Sequence, residues 1–146
     1  MQHTMALILG LAFLGATLLG HAIGPRQAAA KPSMDGALTG TWQTRHAGGI
    51  VEALVLDTSA GSNGGRFVSA KSRGGQQLER FEGRWRLHRN SLLPPDSRWQ
   101  IHLVWHDRAW GRQTRELAIR HLSADRLVLG TIYLSSMNTD FRRIRR

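Results

Sequence analysis

The sequence predicts an all-β domain, a single antiparallel meander of eight or nine strands, and three observations predict it. Beyond residue 38 the apolar residues recur with period two rather than 3.6. Clusters of Gly, Asn, Asp, Ser and Pro punctuate that region at short, regular intervals. No stretch of it carries an apolar stripe at helical spacing. Such a meander suggests a barrel or a sandwich, and closing it into a barrel removes the exposed edges.

The chain opens with MALILGLAFLGATLL over residues 5–19, an apolar run without a charge. That length suits the core of a secretory signal better than a membrane span, which needs about 20 residues. Gly20-His21-Ala22 offers a small-x-small cleavage site, so residues 1–22 are expected to be a signal peptide. A periplasmic or secreted protein follows, with transient membrane contact during export. The positive n-region is missing, however, because the first basic side chains are Arg26 and Lys31. Positive-inside logic then gives the alternative, an uncleaved anchor helix over residues 5–23. A cytoplasmic fate is the third possibility. The chain has no cysteine, which excludes a lipid-modified cysteine after the apolar run and any disulfide. Residues 23–37, IGPRQAAAKPSMDGA, read as a flexible linker.

The β domain is expected over residues 38–146, ending in a basic tail. Residues 38–46 and 49–57 read as the first two strands, and 58–65 (TSAGSNGG) as a turn. Residues 66–71 form a short third strand. In 79–88 the odd positions Phe81, Gly83, Trp85 and Leu87 are apolar or small, and the even ones are all polar. After a turn at Arg89-Asn90-Ser91, a short strand ends at Pro94-Pro95. Residues 98–107 repeat the alternation, with Trp99, Ile101, Leu103 and Trp105 on one face and Gln100, His102 and His106 on the other. Residues 114–121, 126–134 and 139–144 complete the set.

The Gly40-x-Trp42 opening resembles the first strand of lipocalins and their relatives, where the Trp plugs the closed end of the barrel. The run Gly83-x-Trp85-x-Leu87-x-x-Asn90-x-Leu92 is similar to the middle hairpin of small bacterial lipocalin-like domains. So is Leu117-x-Ile119-x-x-Leu122-x-x-Asp125-x-Leu127-x-Leu129, followed by Phe141-Arg142-Arg143. The resemblance covers residues 38–144 and implies a lipocalin-like, calycin-type barrel. It also implies that a late arginine, Arg142 or Arg143, packs over Trp42 as part of the barrel plug. Avidin-type barrels share the Gly-x-Trp start. Here Gln43, Thr44, Arg45 and His46 do not offer the Asn and Ser contacts to biotin, so biotin is not carried over.

Read from the residues alone, Trp42, Trp85, Trp99 and Trp105 belong to the core. Trp110, in the turn 108–113 between charged residues, is expected half exposed and suited to contact with a partner. His102 and His106 have a helical metal-pair spacing but lie on a strand, about 13 Å apart on one face, so no metal is expected. Glu52, Glu79, Glu82, Asp107 and Glu116 read as solvated strand or edge residues. No nucleophile or phosphate-loop motif occurs, so neither an enzyme nor a cofactor is expected.

The formal net charge is +10, and every one of the twenty basic residues except Lys31 and Lys71 is arginine. Arginine suits planar, bidentate contact with phosphate or carboxylate. Arg80, Arg84, Arg86 and His88 share one face of one strand; Arg98, His102 and His106 share the polar face of another, and the tail Arg142-Arg143-Ile144-Arg145-Arg146 adds four more arginines. With Trp110 at its edge, this forms a candidate partner-binding stripe. Two functions compete for a non-enzymatic monomer. One is a small apolar or amphipathic ligand held in the barrel mouth. The other is a surface module that engages a protein or an envelope polyanion (lipopolysaccharide, anionic lipid, nucleic acid) through the basic exterior, with no obligate nucleic acid.

Overall fold

A computed structural model describes residues 33–58, 63–133 and 136–145. The expected signal or anchor, and most of the expected linker, lie outside the described residues. A single helical turn, α1 (Met34–Leu38), leads into β1 (Gly40–His46), β2 (Ile50–Thr58), β3 (Gly64–Arg73) and β4 (Gln76–Arg89). β5 (Trp99–Asp107), β6 (Gly111–Leu122), β7 (Arg126–Gly130) and β8 (Asn138–Ile144) follow. Each strand pairs antiparallel with the next, and β8 returns to β1, giving a closed eight-stranded barrel.

The strand readings need three adjustments. Leu38 belongs to α1 rather than β1, so the last residues of the expected tether are ordered across the barrel end. Residues 91–93 are a turn and not a ninth strand: Asn90 Oδ1 accepts the Leu92 N–H at 3.0 Å, and Leu92 is exposed. β7 stops at Gly130, short of the expected 134. β8 covers the expected strand 139–144, so Arg142 and Arg143 lie within it.

Period two sorts the side chains. Trp42, Leu54, Leu56, Phe67, Trp85, Ile101, Leu103, Leu127 and Phe141 point inward and form one buried core. They fill the half of the barrel nearest α1. An eight-stranded barrel is just wide enough for such filling, or for one small ligand. Gly83 is required where β4 and β5 approach most closely: a Cβ there would meet the Val104 carbonyl oxygen at 2.1 Å and Trp105 Cα at 3.0 Å. One expected wet-face residue, Gln100, is buried because the 90–98 connection folds over it, with its Nε2 donating to the Ser97 carbonyl at 3.5 Å. Arg120 holds this connection through Asp96 Oδ2 at 3.0 Å while also donating to the Thr131 carbonyl at 2.9 Å.

At the closed end, Trp42 Nε1 donates to the Leu38 carbonyl at 2.8 Å. The Arg143 guanidinium lies 4.2 Å above the Trp42 ring and donates to the carbonyls of Thr39, at 2.7 Å, and Ala37. Arg143 is therefore the plug arginine. Arg142 is not, because adjacent strand residues face opposite ways and its side chain is exposed near Asp140. Gly40 adopts φ +139°, and a Cβ on it would meet Arg143 Nη1 at 2.8 Å, which explains the Gly-x-Trp spacing. Trp85 completes the floor, its Nε1 donating to the Asp57 carbonyl at 2.9 Å.

Trp42→Ala should cost about 3–5 kcal/mol in urea melts, since it empties the plug and strands Arg143 over a cavity. A loss below about 1 kcal/mol would mean the plug does not hold the barrel shut.

A second outcome concerns acid. Arg126 donates from Nε and Nη2 to the Asp140 carboxylate at 2.8–3.1 Å, clasping β7 to β8. These bonds hold the Asp140 carboxyl below the usual aspartate range, with partial burial opposing them. A carboxyl depressed in the folded state stabilises above its unfolded pKa, near 4, and loses that contribution as pH falls through its folded value. Asp140→Asn should therefore flatten the fall of Tm below about pH 4 and slightly lower Tm at neutral pH.

Candidate functional site at the barrel mouth

Opposite the plug, the core stops short of the barrel rim and leaves a cup of about 390 Å³. Strand parity builds it. The inward positions that carry Leu54, Phe67, Ile101 and Leu127 near α1 continue toward the open end as Glu52, Lys71, Trp105 and Leu129. Leu117, Leu129 and Phe141 form an apolar floor, and all three are buried. Ile50 adds an apolar patch to one wall. Thr131, Asn138 and Thr139 bring polar groups from the β7–β8 side, which adjoins β1, and Met137 lines the same side.

The charged residues of the mouth are arranged in order. His46 Nε2 lies 2.7 Å from Glu52 Oε2, across the β1–β2 pair. Lys71 Nζ lies 3.0 Å from Glu79 Oε2, across the β3–β4 pair. Arg115, above Leu117 on β6, has no ion-pair partner among the described residues and projects at the lip. The cup thus has an apolar base, two satisfied pairs on one side and one uncompensated guanidinium. This fits an amphipathic molecule with a negative end, since a cation at the lip attracts an anion without being buried. The volume is at the small end of the range for ligand sites.

Glu52 does not sit on the solvated exterior that sequence reasoning gave it, whereas Glu79 is exposed to solvent at the rim. Glu52 shares the parity of Leu54 and Leu56, and Glu79 that of Phe81, so both face the lumen side. Extending each apolar alternation two residues further would have found them, and also Lys71 and Arg115.

The proposed basic stripe lies elsewhere, on the outer wall. β4 and β5 are neighbours, with Arg86 opposite His102 and Arg84 opposite Val104. Arg84, Arg86, His102 and His106, with Glu82 beside them, surround an open groove of about 590 Å³ floored by Gly83, Val104 and Trp105. Arg112, which sequence reasoning did not single out, joins them from β6. His88 and Arg98 do not line this groove. His88 stands further along β4, opposite Gln100, and Arg98 Nε donates back to the Leu93 carbonyl at 3.4 Å. Trp110 does not line the groove but tips the β5–β6 turn between the groove residues His106 and Arg112, and it is 80% exposed rather than half. The Asp107 carboxylate fixes that turn by accepting the Ala109 and Trp110 N–H groups at 2.8 and 3.0 Å. Among the described residues no three of His, Asp and Glu converge on a point that could hold a metal ion.

No family model, curated protein or solved structure matches this chain. The architecture consequently stands on its own geometry: an antiparallel meander, closed, with eight strands.

Proposed function

We propose that this chain is an exported, lipocalin-like binding protein whose barrel mouth holds one small amphipathic ligand with an anionic end. The observation that carries this reading is the cup itself, an apolar floor of Leu117, Leu129 and Phe141 beneath the unpaired Arg115. Closed barrels serve many functions, so the fold supports the reading only by providing a rigid wall. The filled, plugged half leaves a single entrance, from the open end.

A dansyl-labelled medium-chain fatty acid tests the reading. It should bind one to one with a blue shift. Arg115→Glu should weaken it roughly 10- to 100-fold, the worth of a charge-assisted hydrogen bond. The methyl ester of the same probe should bind the two proteins almost equally. Thr139→Trp, which fills the cup from β8, should abolish binding while the urea midpoint stays close to that of the parent. Unchanged affinity in both variants would remove the mouth as the site.

A second reading is favoured by the wall groove, which gathers Arg84, Arg86, Arg112 and two histidines around Val104. It assigns the wall to soluble polyanions. Arg84→Glu with Arg86→Glu should leave stability within about 0.5 kcal/mol per site, because both side chains are exposed. Retention on heparin at low salt should fall sharply. Unaltered retention in the folded variant would discard this reading.

A further inference from the structure

The exposed large apolar side chains are not scattered over the barrel. Four of the six among the described residues, Leu78, Trp110, Tyr133 and Met137, lie at the open end, and only Leu92 and Ile144 lie at the other. The topology gathers them. Antiparallel strands send the β3–β4, β5–β6 and β7–β8 connections out of the same end. Leu78 follows the first connection, Trp110 tips the second, and Tyr133 and Met137 belong to the third. Trp110 and Tyr133 are 80% and 89% exposed. Water-exposed Trp and Tyr on a common rim are the side chains that favour a membrane–water boundary, where the ring is buried and the polar atom stays wet.

The charges at this end agree. Arg73 ends β3, Arg108 lies beside Trp110, and Arg112 begins β6. None of the three is ion-paired among the described residues. Of the carboxylates nearby, Glu79 pairs with Lys71, Glu52 bonds His46, and Asp107 accepts the amides of its own turn while keeping its charge. The rim therefore presents free guanidiniums among exposed aromatic groups, complementary to anionic headgroups over an acyl interior. A protein partner fits less well. Protein hot spots cluster at the centre of a patch, whereas here the centre is the cup and the apolar groups encircle it.

We propose that the open rim docks on an anionic lipid bilayer, with Trp110, Tyr133 and Met137 entering the headgroup–acyl boundary and Arg73, Arg108 and Arg112 meeting lipid phosphates. Docking in this pose turns the mouth toward the membrane. An amphiphile can then pass between bilayer and cup without crossing water, a consequence that rests on the ligand reading; the docking itself does not.

The test uses the full chain and vesicles of phosphatidylcholine with and without phosphatidylglycerol, some carrying brominated acyl chains. The N-terminal apolar run contains no Trp and is common to all variants, so it cannot produce a difference between them. Trp110 is the one exposed Trp among the described residues, so bromine quenching reads the rim. Quenching is expected with the phosphatidylglycerol vesicles and should disappear in Trp110→Phe. Arg73→Gln with Arg108→Gln should lower the quenched fraction's vesicle affinity about 30-fold, and Trp110→Ala with Tyr133→Ser about tenfold or more. Arg84→Glu with Arg86→Glu should leave the quenching in place. Vesicle binding without Trp110 quenching, or quenching lost only on wall reversal, would overturn the proposal. Equal quenching without anionic lipid would overturn its electrostatic half. Fatty-acid probe binding, measured without vesicles, reports the ligand reading separately.

Discussion

The barrel depends on one contact, the Arg143 guanidinium over the Trp42 ring. The β1–β8 seam that closes the sheet is short, with three residue pairs in register against nine between β2 and β3. Two of the residues in that seam are Trp42 and Arg143 themselves, paired across it. Arg143 then ties α1 down through the Ala37 and Thr39 carbonyls, and its own N–H bonds the Asp125 carbonyl at 2.9 Å. Side chains thus reinforce a place where the backbone ladder is thin. A cation held against an aromatic face in a dry site is worth about 2 kcal/mol or more. Removing one partner also leaves the other unsatisfied, so the penalty exceeds the contact.

Because one end is sealed and packed, the other is free to be polar. Along the barrel axis the lumen changes from Trp42, Leu56 and Trp85, through Leu117, Leu129 and Phe141, to Glu52, Lys71 and Arg115. This gradient reconciles a stable core with an open mouth. The charged residues sit where water reaches them, Lys71 paired with Glu79 and Glu52 bonded to His46. Arg120 achieves a related result on the outside: its buried guanidinium uses the 90–98 connection as a cover, and that cover in turn makes Gln100 part of the interior.

Much of this architecture was legible in the sequence because period two is strong wherever one face is dry. Residues 81–87 and 99–105 display it without a break, and their pairing follows. The wall groove was legible for the same reason, since Arg84 and Arg86 had to face away from Trp85. What the pattern hides is position along the barrel axis. Alternation says that Glu52 and Leu54 share a face, but a glutamate invites the assumption that its face is wet. The reading of Glu52 failed there, and with it the mouth. Arg142 and Arg143 were ambiguous because Phe141 and Ile144, the apolar residues flanking them, imply opposite parities; the burial of Phe141 and the pairing of Arg143 with Trp42 resolve it. α1 was illegible because five residues are too few for helical periodicity, and its reason for existing is a carbonyl that Trp42 requires.

The excess positive charge acquires structure once the ion pairs are drawn. A formal +10 spread evenly would give general adhesion and little else. Here five of the ten carboxylates are bonded locally, by Arg126, Lys71, Arg120, His46 and Arg80. Unpaired guanidiniums remain in several places among the described residues, and two of these are the β4–β5–β6 wall and the open rim. Those two surfaces differ in the apolar groups beside them. The wall has Val104 in a groove, where a flexible polyanion gains only charge contacts that salt readily screens. The rim has a Trp held out on a carboxylate-fixed turn, with a Tyr and a Met on the next connection. Once such side chains leave water, salt no longer removes the whole attraction. Ionic strength would therefore separate the two proposed surfaces on physical grounds: adhesion at the wall would vanish with screening, whereas contact at the rim would keep an apolar remainder.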